Sequence, residues 1–277
     1  MKTVALPSGE CVPAFGLGTW RFGENRAHRA EEIATLQLGL DLGVSLIDTA
    51  EMYGEGAAET LVGEAISGRR DAAFIVSKVY PHNATRRGTV AACERSLQRL
   101  HTDRIDLYLL HWRGTVPLGE SIEALAALQK SGKVHHYGVS NLDRADMEAV
   151  WSTPGGSAIA TNQVLYNLSR RGIEWDLLPW LRNHKIPVMA YSPIEQAKLI
   201  GDKRLLEFSR SHAMTPSQAA LAWLLKDDDV IVIPKSGRRE RLKENLRALD
   251  VTLSAESLRA LDRAFPAPRG ATALEML

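Results

Sequence analysis

Residues 73–78 read AFIVSK and residues 105–111 read IDLYLLH, two short, mostly apolar runs that are rich in β-prone residues. They end in ionisable residues, Lys78 and His111. Strands that are buried on both faces give continuous apolar runs, and one βα unit takes roughly 30 residues, which is about the distance between these two runs. The pair therefore predicts consecutive strands of a parallel sheet with a helix between them.

Similar runs recur along the whole chain. They begin near Ala14, Ser45, Ala73, Ile105, Val134, Ala158, Pro187 and Val230. Their mean spacing is about 31 residues, and the stretches between them carry the helical period, as at Ile33, Leu36 and Leu40. The last interval is the longest and has room for two helices, the second of which is predicted to begin with a capping box at residues 215–218 (TPSQ).

Eight strands that alternate with helices fit either a closed (β/α)8 TIM barrel or an open doubly wound sheet, both of the α/β class. The length of 277 residues, the even spacing and the lack of a Pro/Gly/Ser-rich linker favour one barrel domain over residues 1–277. Ser8-Gly9, between short β-prone pieces, predicts an N-terminal β-hairpin. After Leu253 we expect a C-terminal helix and then a tail (266–277), which is either a loop over the active-site end or a frayed terminus.

The composition excludes several classes of protein. With 34 Lys+Arg against 33 Asp+Glu, the net charge of +1 gives no general attraction for nucleic acid or for an anionic membrane. Two cysteines make no disulfide framework, and Cys93 falls on an apolar helical face, which is typical of a packed core thiol. Neither a signal peptide nor an apolar run of membrane-spanning length is found, so we expect a cytoplasmic protein, either a monomer or a weak oligomer.

Several familiar motifs are incomplete or absent. Gly16 and Gly18 start a G-x-G-x-x-G dinucleotide fingerprint, but Arg21 stands where the third glycine is needed. The phosphate-binding G-x-x-x-x-G-K-[ST], the G-x-S-x-G elbow and the Tyr-x-x-x-Lys pair do not occur. His135 and His136 would point to opposite faces of a strand, and no H-E-x-x-H pattern is present, so no metal site is predicted.

Polar residues end most of the predicted strands. The carboxyl ends of barrel strands meet at one mouth, whatever the separation of the strands in sequence. The strand-end residues are Asp48, Lys78, His111, Ser140, Asn141, Gln163, Tyr191, Ser192, Lys235 and Ser236, and Tyr53 follows Asp48 in the next loop. Each has an ordinary alternative role, such as a helix cap, a solvated rim residue or a structural hydrogen bonder. Four complementary ionisable groups on successive strands nevertheless favour a catalytic site.

Those four groups are Asp48, Tyr53, Lys78 and His111. A tyrosine with a pKa near 10 is a weak proton donor at neutral pH, and a lysine ammonium beside it should lower that pKa. A carboxylate would keep the lysine charged, and an imidazole could hold a carbonyl oxygen on which negative charge develops. Since no side chain supplies hydride, this donor site implies a nicotinamide cofactor.

Longer blocks of sequence narrow the identification. They read LIDTAEMYGEGAAETLVGEAI (46–66), IVSKV (75–79), LYLLHW (107–112), YGVSN (137–141), NQVLYN (162–167), AYSPI (190–194) and IPKSGRRERLKEN (233–245). In this order they resemble the aldo-keto reductase superfamily, and the match runs from GLGTW (16–20) to the helix after the eighth strand. DLYLLHW (106–112) and the tail resemble a bacterial branch described as methylglyoxal reductases. Ile194 departs from the leucine often found in this family.

The resemblance implies a catalytic tetrad of Asp48, Tyr53, Lys78 and His111, with Tyr53 as the general acid. It also implies NADPH/NADP+ as the cofactor. The implied cofactor-binding residues are Gly18, Thr19, Trp20, Asp48, Ser140, Asn141, Gln163, Tyr191, Ser192, Pro193, Lys235, Ser236, Arg241, Glu244 and Asn245. Among these, Ser140, Asn141 and Gln163 would hold the carboxamide, and Tyr191 would stack on the nicotinamide unless it is a core residue.

The cofactor's phosphates have their own implied contacts. Ser192 and the loop after it would approach the pyrophosphate. Lys235, Ser236 and Arg241 would bind the 2′-phosphate that distinguishes NADPH from NADH, although segment 235–245 could also be a solvated basic helix.

The expected substrate is a small-molecule carbonyl compound, with contacts from Trp20, Tyr80, His111 and Trp112. Small aldehydes, α-dicarbonyls such as methylglyoxal and aryl aldehydes suit such an aromatic pocket, although Trp20 and Trp112 could equally be packing residues. The retained His111 favours reduction of a carbonyl over that of a carbon–carbon double bond. Two other classes stay open: a cofactor-binding regulatory subunit with little turnover, and a metal-dependent barrel hydrolase.

Overall fold

The computed structural model describes all residues from 1 to 277. The strands are β1 (Thr3–Ala5), β2 (Cys11–Pro13), β3 (Leu17–Gly18), β4 (Leu46–Asp48), β5 (Phe74–Val79), β6 (Ile105–Leu110), β7 (Val134–Ser140), β8 (Asn162–Leu165), β9 (Val188–Tyr191) and β10 (Val230–Val232). The α-helices are α1 (Arg29–Asp41), α2 (Ala57–Ala65), α3 (Arg86–Leu100), α4 (Leu118–Lys130), α5 (Arg144–Trp151), α6 (Leu177–Asn183), α7 (Lys203–Ser211), α8 (Pro216–Leu225), α9 (Arg239–Leu246) and α10 (Ala255–Ala264).

The eight strands from β3 to β10 form one parallel sheet in which each strand pairs with its neighbours in sequence. The sheet closes on itself, because Phe15 pairs with Val232 and Gly18 with Lys235 across the seam between the first and last strands. Gly18 is needed there, since a Cβ at this position would lie 2.8 Å from the carbonyl oxygen of Ile233. The predicted (β/α)8 barrel is confirmed, and the open doubly wound sheet is excluded.

The predicted N-terminal hairpin is also confirmed, as β1 and β2 pair in antiparallel register. It lies at the amino-terminal end of the barrel, where Lys2 Nζ donates to the carbonyl oxygens of Leu225 and Asp227 at 2.6 and 3.0 Å. On the other side of that end, His136 Nε2 lies 2.7 Å from a Glu10 carboxylate oxygen. The hairpin therefore covers the end of the barrel opposite to the polar strand ends.

Burial explains why the strands read as apolar runs. The side chains of β6 and β10 are buried throughout, because the barrel interior lies on one face and the helices on the other.

Strand β8 begins at Asn162, later than the apolar run at Ala158, because Gly156–Ala158 forms a short 3-10 turn. None of the ten helices combines the length and apolar character that crossing a membrane requires.

Local sequence signals fix several helix ends. Thr215 Oγ1 accepts from the Gln218 amide while the Gln218 side chain accepts from the Thr215 amide, which is the predicted capping box of α8. Cys93 is buried on α3, and its burial raises the pKa of the thiol to about 12, as expected for a core cysteine.

Candidate active site

A cavity of about 790 Å³ opens at the carboxyl ends of the barrel strands. This volume lies within the usual range for small-molecule and cofactor sites. Most of the predicted site residues line it, namely Gly18, Trp20, Asp48, Tyr53, His111, Trp112, Ser140, Asn141, Gln163, Tyr191, Ser192, Pro193, Lys235, Ser236, Arg241, Glu244 and Asn245. Residues that are far apart in sequence meet here because parallel barrel strands end at the same mouth.

Asp48 and Lys78 form a buried ion pair at the base of the cavity. Asp48 ends β4 and Lys78 lies near the end of β5, and their side chains are 3% and 0% exposed. Lys78 Nζ lies 2.8 and 2.9 Å from the two Asp48 carboxylate oxygens and 2.8 Å from the Thr49 carbonyl oxygen. Burial lowers the pKa of Lys78, and the Asp48 carboxylate opposes that shift.

Tyr53 stands in front of this pair. It opens the short turn Tyr53–Gly56, in which Gly54 and Gly56 take positive φ angles of 55° and 92° that suit glycine. Lys78 Nζ donates to the Tyr53 hydroxyl at 3.3 Å, so the tyrosine proton is free to point into the cavity.

The net shift in the pKa of Tyr53 is opposite to the one expected from Lys78 alone. The pKa of Tyr53 is raised well above its usual value, first by burial and then by the negative charge of Asp48. Desolvation of the phenolate and the nearby carboxylate outweigh the ammonium, whose charge Asp48 already neutralises.

His111 follows the end of β6 and is buried beside Tyr53. Its ring packs edge-on against Tyr53, with centroids 5.8 Å apart, and its Nδ1 is buried without a hydrogen-bond partner. A proton on Nδ1 would be an unsatisfied buried donor, so the neutral tautomer with the proton on Nε2 is favoured. Burial, together with the charge of Lys78, holds the pKa of His111 well below its usual value. The imidazole is therefore a neutral hydrogen-bond donor.

A hydrogen-bonded polar network follows the ends of β7, β8 and β9. Asn141 adopts a left-handed backbone conformation, with φ of 55°, and its amide donates to the Ser140 hydroxyl at 3.1 Å. The Tyr191 hydroxyl donates to Asn141 Oδ1 at 3.0 Å. The Gln163 amide donates to Asp48 Oδ1 at 2.8 Å, so its carbonyl oxygen is left to accept a hydrogen bond from a ligand.

The opposite end of the cavity is basic. Lys235 and Arg241 line it, and neither forms an ion pair with an acidic side chain of the protein. Burial lowers the pKa of Lys235, and Arg21 and Arg241 lower it further, while Glu32 opposes them. An anion bound here would relieve the repulsion among these cations. Arg239 is different, because it pairs with Glu31 of α1 and points away from the cavity lining.

Three predicted site residues do not line the cavity. Lys78 lies behind Tyr53 and Asp48, as its role as their partner requires. Thr19 is fully buried and donates to the Asp48 carbonyl oxygen at 2.9 Å, so its side chain supports the end of β4, and its predicted cofactor contact stays a prediction. Tyr80 packs edge-on against Trp112, with ring centroids 5.0 Å apart, so it supports the cavity wall formed by Trp112.

The sequence reasoning missed other lining residues. They are Arg21, Met52, Ile194, Gln196, Ala197, Ile200, Pro216, Ser217, Ile233, Met276 and Leu277. The capping box had located the start of α8 at Pro216 and Ser217, but nothing in it indicated that this helix faces the cavity. Met276 and Leu277 settle the position of the tail, which lies over the active-site end.

Comparison with known proteins identifies the family. The model of the aldo/keto reductase family matches residues 14–265. Methylglyoxal reductase YeaE of Escherichia coli (strain K12) is 47% identical over 281 residues, which cover 100% of this chain and 99% of that protein. Glyoxal reductase of Bacillus subtilis (strain 168) is 33% identical over 262 residues, or 94% of this chain and 91% of that protein.

A solved structure supports the same family assignment. The crystal structure of an aldo/keto reductase from Klebsiella pneumoniae in complex with NADP and acetate has a TM-score of 0.96 at 48% identity, and covers 100% of this chain and 99% of that one. The agreement extends over the whole barrel and its active-site end. The chain therefore belongs to the aldo/keto reductase family.

Proposed function

We propose that this protein reduces aldehydes and ketones to alcohols with NADPH, with Tyr53 as the general acid. The observation that carries the proposal is the position of the Tyr53 hydroxyl, which is held by Lys78 at 3.3 Å and faces the same cavity as the neutral imidazole of His111. A proton donor and an oxyanion-stabilising donor on one cavity suit the reduction of a polarised carbonyl group.

The cavity fits NADPH. Lys235 and Arg241 provide two cations without carboxylate partners for a phosphate group, and the Gln163 carbonyl oxygen is free to accept from a carboxamide. Tyr191 is half-buried, lines the cavity and carries a ring on which a nicotinamide could stack. When bound, NADPH supplies the hydride that no side chain can provide.

The protein's own residues carry the proton chemistry. His111 donates from Nε2 to the carbonyl oxygen and stabilises the negative charge that develops there. Burial keeps Tyr53 protonated, so its hydroxyl is available as the proton donor to the forming alkoxide. Lys78 then stabilises the phenolate, and Asp48 holds Lys78 in place.

The rim of the cavity favours substrates with apolar parts. Five of the eight exposed large apolar side chains line this cavity, namely Trp20, Met52, Ile200, Met276 and Leu277. Exposed apolar groups gathered at one site usually mark a binding surface. Small aldehydes, α-dicarbonyls such as methylglyoxal and aryl aldehydes are all candidate substrates, and aryl aldehydes should show the lowest KM because they bury the most apolar area.

Replacement of Tyr53 by phenylalanine tests the mechanism. NADPH oxidation with methylglyoxal and with 4-nitrobenzaldehyde should fall at least about a hundredfold in kcat, because a general acid contributes that much or more, while the Kd for NADPH should change less than about threefold. Tyr108→Phe is the matched control, since its hydroxyl is buried without a hydrogen-bond partner and lies outside the cavity.

Two results would overturn this proposal. Turnover that survives in Tyr53→Phe would remove the tyrosine from the proton step. Tight NADPH binding by the natural protein, without turnover of any carbonyl substrate, would favour the cofactor-binding regulatory subunit instead.

A further inference from the structure

Two segments that are distant in sequence form adjoining walls of the cavity. The first is the β9 loop (192–201), which contributes Gln196, Ala197 and Ile200 to the lining. The second is the tail (266–277), which contributes Met276 and Leu277. Neither segment contains α-helix or strand, although residues 195–201 of the β9 loop form a short 3-10 helix, so side-chain contacts contribute to the position of each.

The backbone of the β9 loop is strained. Ser192, Glu195, Gln196 and Ala197 have φ angles of 47°, 50°, 51° and 73°, in the left-handed region that side chains other than glycine disfavour. A conformation of this kind persists only where surrounding contacts hold it. Without those contacts the loop should relax away from the cavity.

One buried carboxylate holds the loop. Glu195 is 4% exposed, and its Oε2 accepts from the Asn167 amide at 2.9 Å. Arg170 donates to Glu195 Oε1 through Nε at 3.0 Å and through Nη2 at 2.8 Å. Burial would raise the pKa of Glu195, but the hydrogen bonds from Arg170 and Asn167 outweigh it and leave the pKa below its usual value. Loss of Arg170 would therefore leave a buried charge poorly compensated.

The same arginine also holds the tail. The remaining terminal nitrogen of Arg170, Nη1, donates to the carboxylate of Glu275. Arg170 itself stands on a rigid turn after β8, in which the backbones of Asn167 and Arg170 pair with each other. The guanidinium of Arg170, which is carried by this turn, therefore contacts both the β9 loop and the tail.

The tail has few other attachments. Leu274 packs against the hydrophobic core, and Thr272 lies close to Gly172, where an added Cβ would be 2.6 Å from the Thr272 hydroxyl. A separate cavity of about 350 Å³ lies between residues 272–275 and the starts of α5 and α6, so the tail is not closely packed along its length.

We propose that Arg170 is a positioning residue that couples the β9 loop to the tail, so that the two walls of the cavity open together. Release of Glu275 frees the guanidinium and weakens its hold on Glu195, and the strained loop then opens the cofactor side of the cavity. The consequence for catalysis rests on the proposed function: cofactor exchange should require release of the substrate-side wall.

The first test needs no cofactor. In Glu275→Gln, hydrogen exchange of the β9-loop amides should be about two- to fivefold faster than in the natural protein, since a part-exposed ion pair is being removed. Leu274→Ala loosens the tail without changing charge and should give the same acceleration in the same loop. The matched control is Glu94→Gln, which removes a comparably exposed ion pair to Lys133 outside the cavity and should leave loop exchange unchanged.

The second test follows the cofactor. Release of NADPH, measured by stopped-flow fluorescence during displacement with excess NADP+, should accelerate by about the same factor in Glu275→Gln and by at least about fivefold in Arg170→Ala. Arg170→Lys should be intermediate, because an ammonium cannot hold both carboxylates in the forked geometry of arginine.

The outcomes separate the two ideas. Coupling is wrong if Glu275→Gln and Leu274→Ala leave the exchange of the β9 loop unchanged, even if Arg170→Ala accelerates it. If loop exchange responds as expected but the natural protein does not bind NADPH, the coupling stands and the proposed function fails. Urea midpoints for all variants confirm that each is folded.

Discussion

Asp48→Asn removes the negative charge from the ion pair at the base of the cavity while keeping the size of the side chain. Lys78 then stays fully buried, with the Thr49 carbonyl and the Tyr53 hydroxyl as its remaining partners. Burial already lowers the pKa of Lys78, and the carboxylate is the main group that opposes this shift. We expect the lysine of this variant to fold in its neutral form.

The size of the effect follows from the lysine's unfolded pKa of about 10.4. Neutralising that lysine costs about 1.36 kcal/mol per pH unit below 10.4, or about 4.6 kcal/mol at pH 7 and about 1.9 kcal/mol at pH 9. The unfolded chain binds one more proton than the folded variant in this window, so the stability of the variant rises with pH. Its deficit relative to the natural protein should therefore shrink by about 2.7 kcal/mol from pH 7 to pH 9.

Urea unfolding at pH 7, 8 and 9 measures this deficit. The control is the double variant Asp48→Asn/Lys78→Met, which has no lysine to titrate and should show a deficit that is independent of pH. A deficit in the single variant that stays constant between pH 7 and pH 9 would refute the reasoning. It would mean that Lys78 remains charged in the folded state without its carboxylate.

Two further predictions concern the ends of the cavity. Arg241→Ala should raise the Kd for NADPH at least about tenfold, as expected for loss of a charge-assisted hydrogen bond, and leave the Kd for NADH nearly unchanged. Fluorescence titration checks this, and equal losses would exclude the phosphate contact. The imidazole resonances of His111 should not titrate by NMR between pH 6 and pH 8, because burial and Lys78 lower its pKa. A midpoint near pH 6.5 would contradict this. Because the unfolded chain takes up a proton at this histidine near pH 6.5 and the folded protein does not, the stability of the fold should decrease as the pH falls below about 6.5.

The barrel could be predicted from sequence because its signal is local and repeated. The run IDLYLLH is buried at every position of β6, and each of the other seven runs contributes a strand. The helix cap at Thr215 and the turn at Ser8-Gly9 could also be predicted from sequence, because both depend on neighbouring residues. The late start of β8 could not be predicted because the apolar run begins at the last residue of a 3-10 turn and continues through residues 159–161, which have no regular secondary structure.

The site was predictable as far as strand ends define it. Asp48, Tyr53 and His111 meet because the fold brings strand ends together, and their residue types carry the chemistry. The pKa of Tyr53 could not be predicted, since it depends on the balance between burial and two opposite charges. The position of the tail could not be predicted for a related reason: it depends on an ion pair between Arg170 and Glu275, which no local sequence pattern reveals.

The closing seam of the barrel has a consequence for synthesis of the chain. Gly18 and Lys235 pair there, so a residue near the beginning of translation meets one made more than two hundred codons later. Contacts of such wide sequence separation form slowly and late. The basic end of the cofactor cavity, which Lys235 helps to build, can therefore mature only after the last strand has left the ribosome. Because the cofactor would bind only the closed barrel, its presence in the cell would stabilise the closed barrel relative to incompletely folded forms of the new chain.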